Sequence, residues 1–164
     1  MPLMDDRYFY SATVATTVGC GIMAGLFFAF SVFMMRAFDR LPAAQGIAAM
    51  QSTNKTIVTP LFILTFVGTA VLCAVLGVLS LFRLDQPESK WILAGAALYI
   101  VGVILLTGGY HIPRNDKLDT FDPETAEAAR YWTTFVRDWT LWNHVRLVSS
   151  VGAMISFVMA VRVG

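Results

Sequence analysis

Asp, Glu, Lys and Arg are missing from four stretches of the chain, and those gaps predict its elements. The gaps run over residues 8–35, 56–82, 91–113 and 147–161. A bilayer core about 30 Å thick needs about 20 helical residues to cross it. The first three gaps are long enough by themselves. The fourth holds 15 residues and reaches span length only if its helix starts near Trp139. The pattern therefore predicts spans at about 8–35, 56–82, 91–111 and 139–161. The last choice draws Asn143, His144 and Arg146 into the membrane end of a helix.

The connections carry their own signals. The segment from Arg83 to Lys90 is a short polar turn. Asp122 followed by Pro123 predicts a helix start, a capping side chain before proline at the first helical position. An amphipathic helix is expected over about 123–138, running into the fourth span. Trp132, Phe135, Trp139 and Trp142 recur along it at helical spacing. That stripe reads either as an interfacial tryptophan belt or as the wall of a pocket for a flat ligand. The chain opens on Asp5, Asp6 and Arg7 rather than a basic stretch, and the apolar run behind them is too long for a signal core, so the first span is expected to be retained.

Composition agrees with the pattern. Of 164 residues, 57% are hydrophobic and 14% charged, against roughly 45–50% and 25% in soluble domains. Net charge is +1, which argues against nucleic acid as a partner. The aromatic content excludes disorder. The two cysteines, Cys20 and Cys73, fall inside spans and read as small apolar residues. The expected fold is thus all-α, a single integral membrane four-helix bundle over 1–164 with an additional amphipathic helix leading into the fourth span. Four spans put both termini and the Arg83–Lys90 turn on one side. That side carries four basic residues, and the side with the two longer connections carries eight. The positive-inside rule places the long connections in the cytoplasm, as in a bacterial inner membrane.

Polar groups near the apolar layer are costly and tend to mark function. Here they collect at the face with the long connections. Gln51 and Asn54 precede span two, His111, Asn115 and Asp116 follow span three, and Asn143, His144 and Arg146 begin span four. Each has a plain alternative. His111 can be a capping residue, Arg146 can reach to the headgroups, and Asn115 and Asn143 can satisfy carbonyls freed by Pro113. Gly108, Gly109 and Pro113 permit irregular backbone there. In span one, Gly21 and Gly25 form a small-xxx-small pair for close helix approach. Phe27, Phe28, Phe30 and Phe33 read as packing and lipid contact. No P-loop, dinucleotide, zinc-protease or nucleophile-elbow motif occurs.

The blocks GIMAGLFFAFSVFM (21–34), AMQSTN (49–54), HIPRNDKL (111–118) and RDWTLWNHVR (137–146) resemble the anthrone-oxygenase-like family of small four-span membrane proteins. His111 departs from the Asn that members often carry at that position. The resemblance implies oxidation of a small hydrophobic aromatic or phenolic compound, such as an anthrone, by molecular oxygen without a cofactor. An acidic methylene beside a ketone would lose its proton to His144 or His111. Arg146, Asn143, Asn115 and Asn54 would hold the oxyanion, and Trp139, Trp142 and Tyr110 would stack on the rings. Two other readings use the same residues. His111 and His144 can together ligate haem or a transition metal, with Asp116 or Asp138 behind them. Alternatively, the protein is a non-enzymatic binding or accessory subunit, and its small-residue faces can support a homo-oligomer.

Overall fold

The computed structural model describes residues 6–164; Asp5 of the acidic opening lies outside them. Among the described residues there are five helices: α1 (Arg7–Asp39), α2 (Ala43–Ile57), α3 (Pro60–Leu81), α4 (Ser89–Asp119) and α5 (Ala126–Val163). All but α2 are long and apolar enough to cross a membrane. The protein is a multi-pass, all-α membrane bundle. Its four spans close a ring in which α1 packs on α5, α5 on α4, α4 on α3, and α3 on α1.

The packing is that of a protein dissolved in lipid. Large apolar side chains point outward, among them Ile22, Leu64, Val71, Val148 and Ile155. Small and hydroxyl-bearing residues turn inward, including Thr13, Thr16, Thr69, Ser149 and Ser156. Thr13, Thr16 and Ser156 satisfy their hydroxyls on carbonyls four residues back at 2.7–2.8 Å, so burying them leaves no orphan group. Close helix approach is set by Gly19 against Thr69 and by Gly102 against Ser149, where a Cβ would collide with the facing side chain. The expected pair behaves differently. Gly21 faces Met154, whereas Gly25 is exposed with open space where its Cβ would stand.

Three boundaries differ from expectation. Span two starts at Pro60 rather than at 56. Pro60 lacks an N–H and forces the preceding residue out of the helical region, so Thr59 is extended and caps α3 by accepting from the Phe62 N–H at 3.2 Å. The residues before it form a separate helix, α2. The fifth helix starts at Ala126 rather than at Pro123. Asp122 makes a turn instead, its side chain accepting from the Glu124 N–H at 3.1 Å, while Thr125 is the cap. Span three continues unbroken to Asp119. Its irregular backbone takes the form of two π-helical turns, Ile100–Leu105 and Thr107–His111, just ahead of Pro113. A third, Phe30–Met34, widens α1 at the same end of the bundle. Such turns cluster at functional sites.

Helix α5 has 38 residues, about 57 Å at 1.5 Å per residue. It therefore projects well past the apolar layer. Its projecting part builds a second core with Phe30, Met35, Ile47, Met50 and Leu118 around buried Trp132, Phe135 and Trp139. Most of the aromatic stripe is thus interior packing rather than a belt; only Trp142 is substantially exposed.

Candidate functional site

A cavity of about 470 Å³ lies between the two cores, walled by residues of all five helices. That volume suits a small organic molecule. Phe27 and Phe30 from α1, Met50 from α2, Phe62 and Phe66 from α3, and Trp139 from α5 supply its apolar surface. Five of the nine site residues expected from sequence also line it: Asn54, His111, Asn115, Trp139 and Arg146.

Helix geometry explains the selection. Trp139, Asn143 and Arg146 share one face of α5, at i, i+4 and i+7. His144 stands roughly 140° around the helix from Trp139 at 100° per residue. On α4, Thr107, His111 and Asn115 recur every four residues and face the same cavity.

Arg146 is only 6% exposed. Its guanidinium carbon lies 4.5 Å from the Phe27 ring centre and 5.0 Å from that of Trp139, held between two aromatic faces. Nη2 donates to Asn143 Oδ1 at 2.8 Å and Nη1 to Thr107 Oγ1 at 3.3 Å. Nε has no partner. Among the described residues no carboxylate pairs with it; the ion pairs found are Arg83–Glu88 and Arg137–Asp138. A buried guanidinium without a counter-charge is expensive by several kcal/mol, and its neighbours here are neutral.

His111 is 1% exposed. Nδ1 lies 3.4 Å from the Leu106 carbonyl, so in the neutral ring the proton belongs on Nδ1. Nε2 then carries the lone pair, and it has no partner. Two aromatic rings fix the imidazole edge-on: Trp139 at 5.1 Å and 89°, Tyr110 at 5.4 Å and 69°. The Trp139 indole N–H in turn donates to Asn115 Oδ1 at 2.9 Å. That bond fixes the amide and leaves its N–H donors for a ligand.

Asn143 is fully buried but stands behind the cavity wall. Its amide N–H groups donate to the Phe27 carbonyl at 2.8 Å and to Ser31 Oγ at 2.7 Å, while its oxygen accepts from Arg146. It positions Arg146 rather than facing a ligand. Asn54 donates to Asp119 Oδ1 at 3.2 Å, near exposed Asp116, at the polar edge of the cavity.

Three expected residues are not brought in. His144 is exposed and lines a separate groove with Arg36, Asp39 and Arg137. The two histidines that the sequence offers as alternative bases, or as joint ligands of a metal or haem, line different cavities. Among the described residues no group of three or more His, Cys, Asp and Glu is arranged to hold a metal. Tyr110 and Trp142 pack on each other at 5.1 Å, with the Arg114 guanidinium 3.5 Å from the Tyr110 ring centre. Tyr110 supports His111 from outside with Trp142 packed against it, and neither lines the cavity.

Sequence reasoning missed Thr107, Phe27 and Phe30 as site residues. Thr107 had a signal, a polar residue in a charge-free span. The phenylalanines had none, because Phe28 and Phe33, in the same run, are exposed.

A family model described as Anthrone oxygenase matches residues 62–156. That stretch contains Thr107, His111, Asn115, Trp139, Asn143 and Arg146, whereas Phe27, Phe30 and Asn54 lie outside it. No curated protein and no solved structure matches the chain.

Proposed function

The chain belongs to the anthrone oxygenase family, and from that premise we propose that it is a membrane-embedded oxygenase acting on a small anthrone-like aromatic ketone or phenol with molecular oxygen. One observation carries the reading: Arg146, a buried guanidinium without a counter-charge, and His111, whose Nε2 has no partner, line the same aromatic cavity.

The chemistry follows from what each group can do. The ketone oxygen of the substrate docks on Arg146 and Asn115. His111 Nε2 takes a proton from the methylene carbon. The carbon–hydrogen electron pair passes into the ring system, and negative charge gathers on the ketone oxygen. Arg146 is worth far more to that oxyanion than to the neutral ketone, because its surroundings are largely apolar and the donor is already fixed. The electron-rich carbon reduces oxygen and bonds to it, and the proton on His111 completes a hydroperoxide. Loss of the second methylene hydrogen as a proton, with cleavage of the O–O bond, gives the quinone carbonyl and water. An anthrone and one O₂ thus become an anthraquinone and one water, and side chains and oxygen supply every step.

In this reading the site lies at the cytoplasmic face of a bacterial inner membrane. Eight of the twelve basic residues stand on that side.

The test is oxygen uptake by the purified protein in lipid nanodiscs supplied with anthrone. Oxygen consumed and anthraquinone formed should rise together, mole for mole, above the spontaneous rate. A rate equal to that of empty nanodiscs rejects the proposal.

A further inference from the structure

The cavity has two edges of opposite chemistry. One is polar, formed by Asn54, Asp116 and Asp119. Helix α2 is fastened across it: Gln51 Nε2 donates to the Leu118 and Phe121 carbonyls at 2.9 and 3.0 Å, and Asn54 donates to Asp119.

The other edge lies between α3 and α4. These helices pack together along Ser89–Leu105, but α3 makes no comparable contact with α4 from Thr107 to Asp119. Helix α2 does not fill the difference, since it packs on the end of α1, the end of α4 and α5. Val58, Ile63 and Val67 on one side of this gap and Ile112 on the other line the cavity and are exposed, unlike the buried apolar residues of the two cores. All four are apolar, and no charged residue occurs from Thr56 to Phe82. From Pro60 to Val67 the gap reaches about 10 Å along α3, into the apolar layer.

We propose that the substrate enters the Arg146–His111 cavity sideways from the acyl layer of the bilayer, through the gap between the first half of α3 and Ile112, and is therefore a lipid-dissolved aromatic compound that arrives uncharged. The inference rests on the cavity being the substrate site. An anion would meet a high barrier at an apolar gap, whereas a neutral ketone crosses it and becomes charged only beside Arg146. The same gap admits oxygen, which is more soluble in lipid than in water.

Exchange kinetics test the route. Wild-type protein in phosphatidylcholine nanodiscs is mixed with anthrone under argon, and binding is followed by quenching of tryptophan fluorescence, Trp139 being in the cavity wall. The double variant Ile63→Phe/Ile112→Phe should slow association and dissociation together, each by tenfold or more. Ile63→Ala/Ile112→Ala should speed both. Unchanged rates in both double variants overturn the route. So does a greater slowing by Asp116→Phe, which adds bulk at the polar edge, than by the double Phe variant. If the wild type binds no anthrone up to its solubility limit, the assignment of the cavity itself fails, and the inference falls with it.

Discussion

Arg146 and Asn143 stand one turn apart on α5, and the Arg146 Nη2 donates to Asn143 Oδ1 at 2.8 Å. The amide end of Asn143 is fixed to the Phe27 carbonyl and to Ser31 on α1. The guanidinium is therefore held by a neutral side chain that is itself tied to another helix. A carboxylate in that place would neutralise the cation, while an amide orients it and leaves its charge available. The connection also ties the site to the most extensive seam of the bundle, α1 on α5.

Replacing Asn143 by Ala should thus be felt twice. Two buried hydrogen bonds to α1 are lost, at about 1–3 kcal/mol of stability for each acceptor left without a partner. Arg146 also loses its anchor. Thermal unfolding in detergent should show the first effect. The second should appear as a fall in the rate of anthrone oxidation at temperatures where the variant is still folded, and a full wild-type rate there would refute the positioning role.

Arg146→Lys keeps the charge but gives up the planar donor set held between Phe27 and Trp139. If the guanidinium holds the developing oxyanion, kcat should drop by roughly 10²–10³, the usual cost of removing one such donor. A change confined to KM would mean that Arg146 binds ground state and transition state alike.

His111→Phe preserves an aromatic ring against Trp139 and Tyr110 but removes Nε2. Expression and unfolding temperature should stay near wild type, with turnover lower by about 10²–10⁴, the range for loss of a general base. His111→Asn keeps a polar side chain of smaller size but offers no comparable base. Retained turnover in the Asn variant would show that the proton leaves by another group.

His144→Ala should leave both turnover and stability close to wild type, since exposed substitutions away from special features usually stay within about 0.5 kcal/mol. Measured beside His111→Phe, it separates the two histidines. Equal losses in the two variants would contradict the separation of their cavities.

Trp139→Phe keeps most of the ring surface and breaks the bond to Asn115 Oδ1. The freed amide can then turn its oxygen toward the substrate. Anthrone affinity should weaken by roughly 2–10-fold, as expected for about 0.5–1.5 kcal/mol from one hydrogen bond. The double variant Trp139→Phe/Asn115→Ala should lose no more than Asn115→Ala alone.

The sequence by itself determined the class of this protein. Charge-free runs of span length admit few structures other than membrane helices, because lipid leaves backbone groups no partner outside the helix. It also determined that the strongly polar residues collect at one end of the bundle, since topology alone puts the ends of spans one and three beside the starts of spans two and four. Two features stayed hidden for local reasons. Helix α2 passes unnoticed because Gln51, Ser52, Thr53 and Asn54 are ordinary loop residues, and what holds them helical is packing on α4 and α5. The start of α5 is misread because Asp122 and Pro123 suit a turn as well as a cap. Only the tertiary structure decided which polar residues line the cavity. His111 and His144 are equivalent in one dimension, each a histidine near a membrane face. The angular step of the helix carries His144 outward, while the π-helical turn of α4 and the edge of Trp139 hold His111 against the cavity. Likewise Arg146 and Asn143 look like two site residues on one face, and only the approach of α1 sets Asn143 behind the cavity wall as the anchor of Arg146.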